Sequence, residues 1–129
     1  MKKFIIFLIV PFLSFGQCVK GNCLDGEGLY MWDDGMSFWQ GEFKDNVLHG
    51  MGTLKHFDKN GVPYGIYDGE WKNGYKDGWG TATYYGEDGV WLCSYTGNWK
   101  NNTQHGYGVM IWSFGTIEEG EYINGEFQK

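Results

Sequence analysis

The chain contains no arginine. All ten of its basic residues are lysines, set against 16 acidic residues for a net charge of −6. Arginine is the preferred residue for bidentate phosphate contact, and a basic patch is the footprint of nucleic-acid binding. With both missing, nucleic acid is not an expected partner. Proline occurs only at Pro11 and Pro63, and no segment carries apolar residues at helical spacing. A long apolar run is also lacking. The run from Phe4 to Leu13, broken by Pro11, is shorter than the roughly 20 residues that span a bilayer.

That run follows the basic start Met1-Lys2-Lys3, and Ser14-Phe15-Gly16 then places small residues at its first and third positions. This is the pattern a signal peptidase reads. Residues 1–16 are expected to be an export signal cleaved before Gln17, with an uncleaved anchor or a buried helix as the competing readings. Lipid attachment at Cys18 ranks lower, because Gln17 before it is not small. Loss of the signal leaves eight lysines against 16 acidic residues, a net charge of −8. The expected location is the periplasm, the outer envelope or the secreted fraction.

Cysteine is sparse as well, with three in all. In an exported chain Cys18 and Cys23 could close a disulfide within an N-terminal loop over residues 17–23, with Gly21-Asn22 as its turn. Cys93 has no obvious partner and is expected to face the sheet as a small apolar residue.

Glycine and aromatics are abundant: 22 Gly, seven Trp, nine Tyr and nine Phe. They are organised in a repeat. "WQGEFKDNVLHGMGTL" (39–54), "YDGEWKNGYKDGWGTA" (67–82) and "YTGNWKNNTQHGYGVM" (95–110) align closely. "EEGEYINGEF" (118–127) follows the first half of the unit, and "DGEGLYMW" (25–32) the second. Within each unit the period is two. Tyr67, Gly69 and Trp71 fall on one strand face, and Asp68, Glu70 and Lys72 on the other. Asp45-Asn46, Asn73-Gly74, Asn101-Asn102 and Asn124-Gly125 supply hairpin turns between the strands, since these residues tolerate positive φ. Asp34-Gly35, Asn60-Gly61, Asp88-Gly89 and Gly115 mark further turns.

The fold expected from this pattern is all-β, an antiparallel meander with one hairpin per unit over residues 24–129. Strand glycines are costly unless something lies on them. Gly50/Gly52, Gly78/Gly80 and Gly106/Gly108 are expected to form troughs without Cβ atoms, each covered by a ring. Gly41, Gly69 and Gly97 recur as further structural glycines. A buried ring removes roughly 150–250 Å² from water. At about 25 cal/mol/Å² that exceeds the roughly 0.5–1 kcal/mol lost at a strand glycine. Stacking of this kind is expected to replace a central core and to leave no interior pocket.

The units resemble the MORN repeat, with its pattern YxGxWxxGxxxGxG. "YDGEWKNGYKDGWG" fits every constrained place. "WQGEFKDNVLHGMG" departs at Trp39, Phe43 and Asn46, and "YTGNWKNNTQHGYG" only at Asn102. The last unit has Glu118 in the aromatic place and resembles a truncated cap. The resemblance, which covers about residues 24–127, implies an elongated single-layer sheet used as a scaffold for protein or membrane contacts.

Chemistry-bearing residues point to no reaction. His49 and His105 share one repeat place with Asp77 between them, yet equivalent residues two units apart lie beyond coordination distance, so no metal site is expected. Glu42, Glu70 and Glu121 are repeat-equivalent and fall on the polar face, whereas paired catalytic carboxyls must converge across roughly 5–10 Å. Neither catalytic residues nor a cofactor are expected, and the protein is read as not an enzyme. The candidate interaction face is aromatic: Trp39, Phe43, Tyr67, Trp71, Tyr95 and Trp99, with Trp79 and Tyr107 on the other side. Burial of each ring is the competing reading. A one-layer sheet cannot hide both faces, and exposed aromatic patches mark partner sites. The leading expectation is a scaffold for protein–protein contacts. The alternative is binding of membrane lipid or envelope glycan, with anionic headgroups disfavoured by charge.

Overall fold

The computed structural model describes residues 16–33 and 36–129; most of the expected export signal, and the Asp34-Gly35 turn, lie outside them. A single antiparallel sheet contains ten strands in sequence order. The strands are β1 (Gly16–Gly21), β2 (Gly26–Trp32), β3 (Ser37–Lys44), β4 (Val47–Phe57) and β5 (Pro63–Lys72). They continue with β6 (Tyr75–Tyr85), β7 (Trp91–Lys100), β8 (Thr103–Trp112), β9 (Ile117–Ile123) and β10 (Glu126–Phe127). No helix occurs among the described residues. The all-β meander is therefore as the period of two requires. The N-terminus differs from expectation. Residues 16–21 form a strand paired with β2 rather than a loop, and the Cys18–Cys23 disulfide fastens that strand to the turn after it.

Four hairpins turn through two residues, and in each both take positive φ: Asp45-Asn46, Asn73-Gly74, Asn101-Asn102 and Asn124-Gly125. This matches the right-handed twist of the flanking strands. The second turn residue also ties each hairpin to the one before. The amides of Asn46, Gly74, Asn102 and Gly125 donate to the carbonyls of Leu24, Leu48, Lys76 and Gln104. His49 and His105 serve the same seam. Their Nδ1 atoms accept from the amides of Asn73 and Asn124, at 3.5 and 3.4 Å.

A row of nine glycines crosses the sheet in register: Gly21, Gly28, Gly41, Gly52, Gly69, Gly80, Gly97, Gly108 and Gly120. Beside it stands a roof of rings. Trp39 on β3 meets Trp71 on β5 at 5.0 Å between centroids, above the intervening β4. Tyr67 and Trp99 stack at 5.2 Å above β6, and Tyr95 meets Tyr122 at 5.0 Å above β8. β4, β6 and β8 are thus each covered from both flanks. A one-layer sheet acquires a core in this way, with Trp39 and Tyr95 at 0% exposure.

The repeat glycines divide into three roles. A Cβ on Gly52, Gly80 or Gly108 would overlap the ring of Trp39, Tyr67 or Tyr95. On Gly41, Gly69 or Gly97 it would meet the backbone of the facing glycine. Gly50, Gly78 and Gly106 receive no ring, contrary to the expected trough. Gly78 has φ +104° and lies against the carboxylate of Glu70. The physical reason is a bulge. Glu70 alone opposes residues 77–79, so the longer strand must double back.

Candidate interaction surfaces

Each unit presents its aromatic pair and its glycine row on one side, here called the roofed face. The tyrosine hydroxyls close on the bulge: Tyr67 donates to the carbonyl of Glu70 at 3.0 Å and Tyr95 to that of Asn98 at 2.9 Å. Burial pushes both phenols above their ordinary range, Tyr95 up to about 12. Trp99 donates from Nε1 to the Gly80 carbonyl at 3.2 Å. Trp39 and Trp71 stand at the same two repeat places, yet their Nε1 atoms are buried with no acceptor among the described residues.

The roofed face corrects the aromatic candidate site. Trp39, Phe43, Tyr67, Trp71, Tyr95 and Trp99 are all buried, none above 5% exposure. They are brought together, but against one another. The rings reach across glycine strands to partners two strands away, which removes them from any docking surface. The face is not sealed, however. An open groove of about 550 Å³ lies on it, bounded by Trp32, Ser37, Leu54, His56, Trp71 and Lys76 among others. Lys76 is the residue that sequence reasoning missed. Its ammonium lies 5.3 Å and 5.2 Å from the ring centroids of Tyr67 and Trp99. Its repeat equivalents are Leu48, Gln104 and Phe127, and that mismatch was the available signal.

The opposite face carries Met51, Trp79 and Tyr107, which lie between the paired glycines of successive units. They are 53%, 49% and 44% exposed. They alternate across the sheet with Glu70, Asn98 and Glu121, their register partners. The Tyr107 hydroxyl donates to Glu119, which together with partial desolvation raises its pKa. Leu29, Phe38 and Phe57, with Gln40, Thr53 and Lys55, line a smaller hollow of about 360 Å³ on the same side.

Glu42 and Glu70 are structural rather than free. Each carboxylate accepts a backbone amide across its bulge, from Met51 at 2.6 Å and Trp79 at 2.5 Å. Asn98 replaces them in the third unit and reaches the Tyr107 carbonyl instead. Cys93 is a buried free thiol, its pKa raised by desolvation. His56 bonds Ser37 Oγ at 2.9 Å and stacks on Tyr64. Among the described residues no group of three or more His, Cys, Asp or Glu side chains could hold a metal ion.

One sheet of hairpins in chain order, roofed by repeat-equivalent rings over a glycine row, defines a β-hairpin repeat protein. The MORN repeat profile matches residues 20–37, 39–61, 67–89 and 95–116. The chain belongs to the MORN repeat family, a non-catalytic repeat family whose members commonly mediate protein or membrane contacts. No curated protein sequence matches it.

Proposed function

We propose that this array is a non-enzymatic scaffold that docks a protein partner on its opposite face, outside the cytoplasm. The observation that carries the reading is the exposure of Met51, Trp79 and Tyr107 at one place of three successive units. Equivalent positions two strands apart repeat at about 10 Å. Side chains of this size left half-exposed in register, with Glu70 and Asn98 between them, have the composition of a contact surface with a polar rim. Membrane lipid and envelope glycan are the second reading. Sixteen acidic residues and no arginine disfavour an anionic bilayer.

The test compares the parent with a Trp79→Ala/Tyr107→Ala variant, each immobilised and washed with envelope extract. A defined protein retained by the parent and lost by the variant, with far-UV circular dichroism unchanged, is the expected result. Equal retention by both, or retention only on liposomes or cell-wall polysaccharide, overturns the reading. Export is supported by the signal-like residues 1–16 and by the Cys18–Cys23 pairing, a cross-link that forms and persists in oxidising compartments. Intact mass of the native protein should begin at Gln17 and show the pair oxidised. A mass beginning at Met1 removes the export claim.

A further inference from the structure

The N-terminal hairpin lacks the rings of the repeat but keeps the geometry that those rings serve. Gly21 of β1 faces Gly28 of β2, as Gly69 faces Gly80 and Gly97 faces Gly108. Two residues beyond Gly28, Tyr30 faces Cys18; the same step brings Ala82 to Tyr67 and Met110 to Tyr95. Cys18 therefore stands at the first aromatic place of the repeat. Cys23, two residues after Gly21, stands at the second, where other units have Phe43, Trp71 and Trp99. It is as hidden as they are, at 7% exposure against 4%, 5% and 4%. The residue between agrees as well, since Asn22 lies against Gly26 as Asn98 lies against Gly106. One extra residue, Val19, is taken up as a bulge between Cys18 and Lys20. The half-unit legible at residues 25–32 thus has its first half in β1.

The Cys18–Cys23 disulfide takes the position of the missing aromatic pair. A Cβ on Gly28 would meet Cys23 Sγ at 2.8 Å, as one on Gly80 would meet the Tyr67 ring. Little else secures the strand. Gln17 through Gly21 are exposed, and among the described residues β1 is an edge strand paired with β2 alone. A short edge strand with few buried side chains opens at low cost.

We infer that residues 17–32 are a further unit of the array, roofed by sulfur, and that this unit closes only when Cys18 and Cys23 are oxidised. The pair is then a redox modification site whose co-reactant is a disulfide oxidant. One thiolate of the pair attacks the oxidant's disulfide and expels one thiol. The second thiolate attacks the mixed disulfide and expels the other. The protein gives up two electrons and two protons, and the oxidant leaves as two thiols. In the reduced chain Gly28 is uncovered, and the outer edge of β2 is open to another strand. The inference is independent of docking on the opposite face, and either can fail alone.

Amide hydrogen exchange of the purified protein tests it. In the oxidised protein the amides of residues 17–22 should be protected. Reduction with a water-soluble phosphine should speed their exchange about tenfold or more, with β4 to β8 unchanged. Cys18→Ser/Cys23→Ser should exchange fast with or without the reductant. Cys18→Tyr/Cys23→Trp puts rings at the two places and should keep residues 17–22 protected under reductant, which a plain cross-link would not. Rates in β4 to β8 report the folding of each variant, and the reduced parent needs no substitution. The inference is overturned if reduction leaves residues 17–22 as protected as before or loosens the whole sheet equally. It is also overturned if the ring variant, its β4 to β8 protected, exchanges at residues 17–22 like the serine variant.

Discussion

At the scale of single residues, glycine is the informative type, because its replacements differ in sign according to what lies above. Gly80 is roofed: an added methyl would occupy the space of the Tyr67 ring. Gly80→Ala is therefore expected to cost about 3 kcal/mol, at the upper end of the range for overpacking. Gly65 lies in β5 on the same face, and a Cβ there would touch only His56, at 4.0 Å. Gly65→Ala should be neutral or gain about 0.5–1 kcal/mol through the unfolded chain. Urea denaturation of both variants checks the pair; equal midpoints would remove the roof as the source of stability. That rings lie on the second glycine of each pair follows from the alternation of residues. That Gly78 instead serves a bulge does not, because a bulge breaks the period of two on which such a reading relies.

At the scale of the hairpin, the bulge is where strand length and register are reconciled. Three residues of β6 oppose Glu70, and its carboxylate bonds the Trp79 amide that the ladder leaves unpaired. Glu70→Ala should cost about 1–2 kcal/mol, the range for a hydrogen bond to a charged group at a partly solvated site. Asn98→Ala should cost less, since its contact with the Tyr107 carbonyl is neutral and long, at 3.4 Å. Chemical denaturation of the two variants measures the difference, and an unchanged Glu70→Ala midpoint would show the carboxylate to be idle. The repeat-equivalent glutamates were recognisable as a pattern but read as solvated charge. Their spacing is that of the polar face, and only the folded bulge turns them toward an amide.

Across the whole molecule, the roof ties stability to the ionisation of its tyrosines. Tyr95 is pushed from 10.0 up to about 12, by burial first and then by Tyr122 and Glu121. Tyr67 is raised by burial and then by Glu70, Asp68 and Asp77. A raised folded-state value means the folded chain holds the proton more tightly than the unfolded one. The contribution is fully present below pH 10 and is lost as pH rises through about 12. The urea midpoint should fall over that window, and Tyr95→Phe should flatten the fall. A midpoint independent of pH there would mean that these hydroxyls are solvated.

The sequence by itself determined the strands of the repeat units, the two-residue turns and the one-layer meander. Each is encoded locally, by a period of two and by residues that accept positive φ between the runs. Only the tertiary structure decided which rings are hidden and which stand free. Trp39 finds Trp71, and Tyr67 finds Trp99, across a whole intervening strand, and that distance is set by sheet geometry rather than by neighbours in the chain. The same geometry laid the Lys76 ammonium over two rings, because the packing of the roof, and not the repeat pattern, fixes what a side chain at that place meets.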